Sequence, residues 1–335
     1  MDSLTQIVLG AAVGEAVLGK KVGNKAMLWG GIAGTIPDLD VLVRLFTDDI
    51  VLINEVHRGF SHSIVFCILM APILGWIASK IHKKENLDWK PWAKLFFWSL
   101  VTHPLLDAHT NWGTQLFWPF EYRVAYNNIF VADPLYTVPF LICVIAAMFY
   151  KRNNPKRYKI NRAGILISSS YMLLTLAFKG IAYFQFDDSL KKQGIEYLEL
   201  DTKPSPLNSI LWIADVETED EYLIGFYSLL DKDNNIEFTR FEKNHELLGK
   251  WENESIIQSL IKQSRGWYSI QKEDGKIYFN DLRFGQIGID NADKKVNFSY
   301  ELIEEDGVVK AHQRRMKIDN PGQLFDDLVE RVKGK

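Results

Sequence analysis

The sequence predicts an all-α membrane domain of about six transmembrane helices, followed by an α+β domain outside the cytoplasm. Three features predict this fold class. Long apolar runs fill the chain up to about residue 185, Asp, Glu, Lys and Asn become frequent from about residue 190, and basic residues are concentrated in alternate linkers. We therefore expect two domains, a transmembrane helical domain at 1–187 and a soluble domain at 190–335.

Six apolar segments define the predicted spans, and they lie at 3–19, 26–43, 61–80, 93–110, 133–150 and 164–184. A helix that crosses the hydrocarbon needs about 20 apolar residues. The third, fifth and sixth segments meet this length, whereas the others are shorter or are interrupted by Gly and polar residues. The alternative is a large buried soluble core, but several long apolar runs with charged linkers are hard to fit into one small core.

The basic residues in the linkers predict the orientation of the helices. Linkers 20–25, 80–94 and 151–162 are rich in Lys and Arg, whereas the alternate loops 44–60 and 111–132 contain few. An excess of Lys and Arg marks the cytoplasmic side of a membrane protein. Both termini, the alternate loops and the soluble domain are therefore expected outside the cytoplasm.

The polar domain has the pattern of an α+β fold. Strand-like runs occur at 195–200, 222–230, 236–241, 267–271, 276–279 and 296–303, and helical spacing occurs at 254–263 and 323–332. The Asp274-Gly275 pair between two strand-like runs predicts a hairpin turn.

Charge and cysteine content exclude several classes of protein. The net charge of −3 and the absence of a basic stripe argue against a nucleic-acid partner. The two cysteines, Cys67 and Cys143, both lie inside apolar runs, so neither is expected in a disulfide or a thiolate zinc site. The amino terminus has no basic stretch followed by a cleavage site, so no removable signal peptide is expected.

Ionisable residues beside apolar segments point to a functional site, because such residues are rare in membranes and usually functional. The first cluster is Asp38 and Asp40, directly after Pro37. Two carboxylates so close together would repel each other unless a cation or protons intervened. An ordinary turn with a helix cap is the alternative interpretation.

The second cluster is the stretch 57–63, which contains His57, Arg58 and His62 at the start of the third apolar segment. Neutral imidazole is a common ligand of zinc and related ions. The guanidinium of Arg58 matches the geometry of an anionic group such as phosphate. The alternative is a polar cap on a helix at the membrane interface.

The third cluster is His103 and Asp107, four residues apart in the fourth segment. On a helix these side chains share a face and could reach one ion, whereas His109 has no clear place on that face and is expected either to support the ligands from behind or to be structural. A polar kink satisfied by neighbouring helices is the alternative. The three clusters together supply imidazole and carboxylate without thiolate, which suits Zn²⁺, Mn²⁺ or Fe²⁺.

These motifs resemble the YdjM-like family of inner-membrane-associated proteins described as metal-dependent hydrolases. The resemblance rests on Met1-Asp2-x-x-Thr5, Pro37-Asp38-x-Asp40, the stretch 57–63 and His103-x-x-x-Asp107, and it covers roughly the first 180 residues. The family pattern often has His after the amino-terminal Thr, where this chain has Gln6. The arrangement is more distantly similar to zinc-dependent phospholipase C, which implies phosphoester hydrolysis by analogy.

The motifs and the resemblance together predict a multi-pass protein of the cell (inner) membrane that hydrolyses a phosphoester or lipid-linked substrate at the outer face. The expected metal ligands are Asp38, Asp40, His57, His62, His103 and Asp107, and the residues assigned to catalysis are Asp38, Asp40, Arg58 and His62. Zinc is the expected cofactor, with manganese or iron as alternatives. The expected partner is a membrane lipid or lipid-linked substrate.

Two other functions fit the same residues. A scaffold or sensor would use the metal only to tie helix ends together, in a site closed by protein ligands. An ion or metal transporter would hold its ligands near the middle of the membrane. The position of the motifs at segment ends argues against a transporter.

Overall fold

The computed structural model describes residues 1–47, 53, 56–233, 235–289, 294–305, 307–314 and 320–334. The chain forms two compact units. The first contains Met1–Leu176 with Pro206–Asn208, and the second contains Ala177–Ser205 with Ser209–Lys335. The described part of the first unit is mainly helical, and the second unit contains the β-sheets.

Five helices belong to the first unit and a sixth runs from it into the second: α1 (Ser3–Val22), α2 (Asn24–Ala33), α3 (Ile64–Ile81), α4 (Trp89–Asp107), α5 (Pro134–Met148) and α6 (Pro155–Lys192). Two 3₁₀ segments, Pro37–Leu45 and Phe60–His62, lie between α2 and α3. The side chains of Asp2, Ser63 and Asp133 accept hydrogen bonds from backbone N–H groups at the starts of α1, α3 and α5. These hydrogen bonds stabilise the first turns of the three helices.

The predicted fold class, an all-α membrane protein with six spans, is wrong. Among the described residues, α3 and α6 are long and apolar enough to cross a membrane, and α2 with Pro37–Leu45 makes a third candidate that is bent by 47°. With 10 and 15 residues, α2 and α5 are each shorter than a full span. Charged and polar residues lower the hydropathy of α1 and α4. Apolar residues in these helices pack against other helices, so an apolar run alone did not identify a span.

Close packing of α1 against α2 brings the start of α1 beside the end of α2. A Cβ atom on Gly10 would collide with the carbonyl of Gly30, and one on Gly14 would collide with the carbonyl of Ala26. Glycine at these positions lets the two backbones approach directly. As a result, Gln6 near the start of α1 lies against Gly34 just beyond α2.

The second unit contains two antiparallel four-stranded sheets. The strands of the first are β1 (Glu199–Pro204), β2 (Leu211–Glu217), β3 (Glu221–Ser228) and β4 (Phe238–Glu242), and those of the second are β5 (Tyr268–Glu273), β6 (Lys276–Gln286), β7 (Val296–Glu305) and β8 (Val308–Arg314). Helices α7 (Ser255–Ser264) and α8 (Pro321–Val332) belong to the same unit. The predicted hairpin is confirmed, because Glu273 pairs with Lys276 around Asp274 and Gly275, which both have positive φ.

Strand β2 shows the alternation of a sheet covered on both faces. Trp212 and Val216 belong to the same core as Phe186 of α6, whereas Ile213 packs with Leu282 of the second sheet. Successive side chains of a strand point to opposite faces, so each face of β2 has its own core.

Candidate metal centre

Four side chains from three separate segments converge in the first unit: Asp38, His62, His103 and Asp107. Asp38 lies on the 3₁₀ segment Pro37–Leu45, His62 ends the segment Phe60–His62, and the other two lie on α4. The side chains of the two histidines and Asp107 are buried, and that of Asp38 is 28% exposed. The motifs had identified these four residues as candidates, and the fold brings their donor atoms within 4.8 Å of one another.

The spacing of the donor atoms fits one metal ion. The Nε2 atoms of His62 and His103 are 3.1 Å apart, and Asp38 Oδ1 lies 3.4 Å from each of them. Asp107 Oδ2 lies 3.5 Å from the first imidazole nitrogen and 3.7 Å from the second. Metal–ligand bonds of about 2.0–2.1 Å at tetrahedral angles place ligand atoms roughly 3.3–3.4 Å apart.

A buried oxygen provides a second test of this fit. Asp107 Oδ2 is buried and makes no hydrogen bond with any described residue. Buried polar atoms are almost always satisfied, so such an oxygen calls for a further partner. A divalent ion held by the four donors would be that partner, and two imidazoles with two carboxylates are a donor set that zinc, manganese and iron accept.

Each histidine has its outer ring nitrogen engaged, which directs Nε2 to the centre. His103 Nδ1 donates to the carbonyl oxygen of Gly34 at 2.6 Å. His62 Nδ1 lies 3.0 Å from Ser61 Oγ and 3.3 Å from Asp40 Oδ2. Partners of this kind fix the orientation and tautomer of metal-binding histidines.

Two of the residues expected as ligands, Asp40 and His57, lie outside the four-residue group. Asp40 accepts hydrogen bonds from the backbone N–H of Arg58 and from Ser61 Oγ, both at 2.9 Å, and its Oδ1 lies 3.1 Å from His57 Nδ1. A 3₁₀ helix has three residues per turn, so Asp38 and Asp40 point in different directions. Asp40 thus ties the segment 57–62 to the centre.

Arg58 is buried behind Asp107. Its φ of 60° lies in the left-handed region, which is uncommon for a residue other than glycine. Its Nε lies 3.2 Å from Asp107 Oδ2, and its Nη1 donates to Thr110 Oγ1 at 2.9 Å. The guanidinium therefore places a positive charge next to the centre.

Gln6, whose part in the site the motifs left open, contacts two of the converging residues. Its Nε2 donates to Asp107 Oδ1 at 2.8 Å and lies 3.3 Å from the carbonyl oxygen of His103. The Met1 amine also contacts Asp107 Oδ1. Asp107 therefore has one oxygen held by its neighbours and the other directed to the centre. The Gly34 carbonyl has no side-chain signature, so no motif could have revealed it.

His109 has a separate position. Its Nδ1 lies 2.7 Å from Asn128 Oδ1, and Asn128 donates through Nδ2 to Thr175 Oγ1 at 2.8 Å. This network joins the loop after α4 to α6, which is a structural role.

The carboxylates around His62 control its protonation. Burial alone would lower the pKa of His62, but the neighbouring carboxylates of Asp107, Asp38 and Asp40, which lie 3.3–3.5 Å from its ring nitrogens, raise it to about 10. Burial likewise opposes ionisation of Asp107, but the positive charges of the Met1 amine and Arg58 hold its pKa well below the ordinary value. The centre therefore favours a positive charge among its carboxylates, and a metal ion must displace the proton on His62 to bind there.

One family model matches the chain. It is described as YdjM inner membrane protein and matches residues 1–186, more than half of the chain and the part that contains all four converging residues. No curated protein and no solved structure matches. The similarity to zinc-dependent phospholipase C that the motifs suggested is therefore not shown.

Proposed function

Because this chain belongs to the YdjM inner membrane protein family, we propose that it is a metal-dependent hydrolase of phosphoesters or lipid-linked substrates. The observation that carries the proposal is the convergence of the donor atoms of Asp38, His62, His103 and Asp107, one of which, Asp107 Oδ2, is buried and makes no hydrogen bond with a described residue. These four residues would hold the ion. When bound, a divalent ion lowers the pKa of a coordinated water and polarises a scissile ester.

His57 is suited to move a proton beside the centre. Its side chain is 27% exposed, its ring centroid lies 6.3 Å from that of His62, and Asp40 engages its Nδ1. A carboxylate that orients an imidazole in this way leaves Nε2 to accept or donate a proton. In this proposal Asp40 acts through His57 and His62, and Nε2 of His57 is the proton-transfer atom.

Asp38 is exposed enough to face a substrate, and the charge of Arg58 lies behind it. Asp38 is the most exposed of the four converging side chains, so substrate would approach from its side. The guanidinium of Arg58 is buried and held by Asp107 and Thr110, so it would favour the anionic group of a phosphoester through its positive charge and not by direct contact.

The proposed orientation puts the centre at the outer face of the membrane. Gln6 and the centre lie at one end of α1, and Lys20 and Lys21 lie at the other. Basic residues favour the cytoplasmic side, so the centre would face outward. If α6 crosses from the basic stretch 151–162, the second unit also lies outside the cytoplasm.

The experiment is metal analysis of detergent-purified full-length protein together with an activity screen. We expect the wild type to bind one zinc, manganese or iron ion, His62→Ala/His103→Ala to lose it, and His109→Ala to keep it. Chromogenic phosphomonoesters and phosphodiesters and phospholipid in mixed micelles are the substrates to test. Absence of metal after titration, or hydrolysis unchanged in the double variant, would contradict the proposal.

A structural metal in a non-catalytic scaffold is the second candidate function, and the number of protein donors favours it. Four protein ligands are typical of structural zinc sites, whereas catalytic zinc sites have three and an open position. The absorption spectrum of the Co²⁺-substituted protein separates the two functions. Inorganic phosphate should change the spectrum if a position is open, and an unchanged spectrum would favour the scaffold.

A further inference from the structure

Two basic cavities lie at the end of α1 opposite the candidate metal centre. The larger, of about 660 Å³, is lined by the turn between α1 and α2 and by the loop between α5 and α6. The smaller, of about 380 Å³, lies beside Glu15 and the start of α6. Arg152 and Asn153 line both, so the two cavities are neighbours. The 14 residues that separate Gln6 from Lys20 on α1 correspond to about 21 Å of helix, which separates the cavities from the centre.

Positive charge predominates around these cavities. The basic residues that line them are Lys20, Lys25, Lys151, Arg152, Arg157 and Lys159. Arg157 is buried and bound within the protein, because its Nε donates to Glu15 Oε1 and its Nη1 donates to Asn24 Oδ1, both at 2.6 Å. Arg157 therefore shapes the cavities and is not free to bind a ligand.

The other basic side chains are only partly neutralised. Lys25 Nζ lies 2.5 Å from Glu85 Oε1, and Arg152 Nη1 lies 3.3 Å from Oε2 of the same residue. In the part of the chain that the structure describes, Lys151 and Lys159 form no ion pair. Six cations set against two carboxylates, Glu15 and Glu85, leave an excess of four positive charges.

An apolar groove of about 450 Å³ continues from the larger cavity. The two share Asn24 and Met148, and the groove runs between α1, α2 and α5 to Thr35. Helix α2, which forms one wall of the groove, has 10 residues and is about 15 Å long. The groove wall includes exposed apolar side chains such as Leu28, which is 60% exposed. The larger basic cavity and the apolar groove therefore adjoin each other.

We propose that this site binds an anionic phospholipid, with its phosphate in the basic cavities and one acyl chain in the groove. Basic pockets between membrane helices bind such headgroups on the cytoplasmic side. Phe149 and Tyr158, which are 83% and 42% exposed, line the two cavities as aromatic residues do at a membrane interface. A free phosphate would use the cations but not the groove, so the groove selects the lipid as the source of the phosphate.

The test is lipid binding by full-length protein, delipidated in non-ionic detergent and measured by native mass spectrometry and thermal unfolding. The probes are phosphatidylglycerol, phosphatidylcholine with the same acyl chains, and inorganic phosphate. We expect phosphatidylglycerol to bind at least tenfold more tightly than phosphatidylcholine. Lys151→Gln/Lys159→Gln should lose most of that preference, and Leu28→Trp, which fills the groove, should weaken phosphatidylglycerol binding.

The matched control is Lys83→Gln/Lys84→Gln, which removes the same charge from two exposed lysines outside the cavities. We expect this variant to bind phosphatidylglycerol like the wild type. Equal binding of the two lipids, or an equal loss in both double variants, would overturn the proposal. Protection by inorganic phosphate equal to that by phosphatidylglycerol would overturn the assignment to a lipid.

Discussion

The imidazole of His103 donates from Nδ1 to the carbonyl oxygen of Gly34 at 2.6 Å. A backbone group just beyond α2 thus orients a side chain of α4, and Nε2 of that side chain faces the centre. Gly34 can occupy its position because it has no side chain, since a Cβ atom there would collide with the carbonyl of Gln6.

We predict that Gly34→Ala lowers metal affinity by about 10–100-fold, because moving the carbonyl releases His103 from its orientation. Competition titration with a chromogenic chelator measures this affinity. Gly180→Ala is the control, since a Cβ atom at Gly180 would have no neighbour within 4 Å among the described residues. Unchanged affinity in Gly34→Ala would show that this hydrogen bond does not position the ligand.

His57→Gln should separate metal binding from proton transfer. His57 lies outside the four converging residues, so metal stoichiometry should equal that of the wild type. Hydrolysis should fall by about 10²–10⁴-fold, because general acid–base residues contribute that much. Metal analysis and substrate turnover on the same preparation make the comparison. Loss of the metal in this variant would instead assign His57 to the ligands.

Acidity should stabilise the second unit through Asp215. Burial raises the pKa of Asp215 to about 6, although the ammonium of Lys203 acts in the opposite direction. An unfolded Asp has a pKa of about 3.9. Between these two values the folded chain holds more protons than the unfolded chain. The contribution of Asp215 to stability is therefore fully present below about pH 4 and is lost as the pH rises through about 6.

Hydrogen exchange of the β2 amides, corrected for the intrinsic effect of pH, should show opening that becomes less favourable from pH 7 to pH 5. Asp215→Asn removes the titration and should flatten this trend. The same pH dependence in both proteins would exclude Asp215 as its source.

The buried pair of Glu15 and Arg157 should be coupled in stability. Removing one partner leaves a buried charge alone, so Glu15→Leu and Arg157→Met should each cost about 3–5 kcal/mol, and the double variant should cost less than their sum. Equilibrium unfolding in mixed micelles measures the cycle. Lys25 and Glu85 form the control pair, because Lys25 is 43% exposed and such pairs contribute only about 0–1 kcal/mol. Additive effects of the Glu15 and Arg157 variants would contradict the coupling.

The sequence by itself located several of the helices and the four residues that converge. The apolar segments predicted at 61–80 and 133–150 coincide closely with α3 and α5, because apolar runs and their caps act within one stretch of chain. The motifs likewise contained all four residues whose donor atoms converge. Residue type and spacing were sufficient for this, since imidazole and carboxylate beside apolar segments are costly without a partner.

Tertiary structure decided the number of candidate spans and the membership of the site. Apolar surface is buried equally well against lipid or against another helix, so composition could not distinguish a span from a packed helix. Asp38 and Asp40 have the same side chain two residues apart, yet only the first points to the centre, because the direction of each depends on the 3₁₀ backbone and on the segment packed against it. The Gly34 carbonyl reaches His103 only because the helices pack together. Every residue has a backbone carbonyl, so the sequence could not identify this contact.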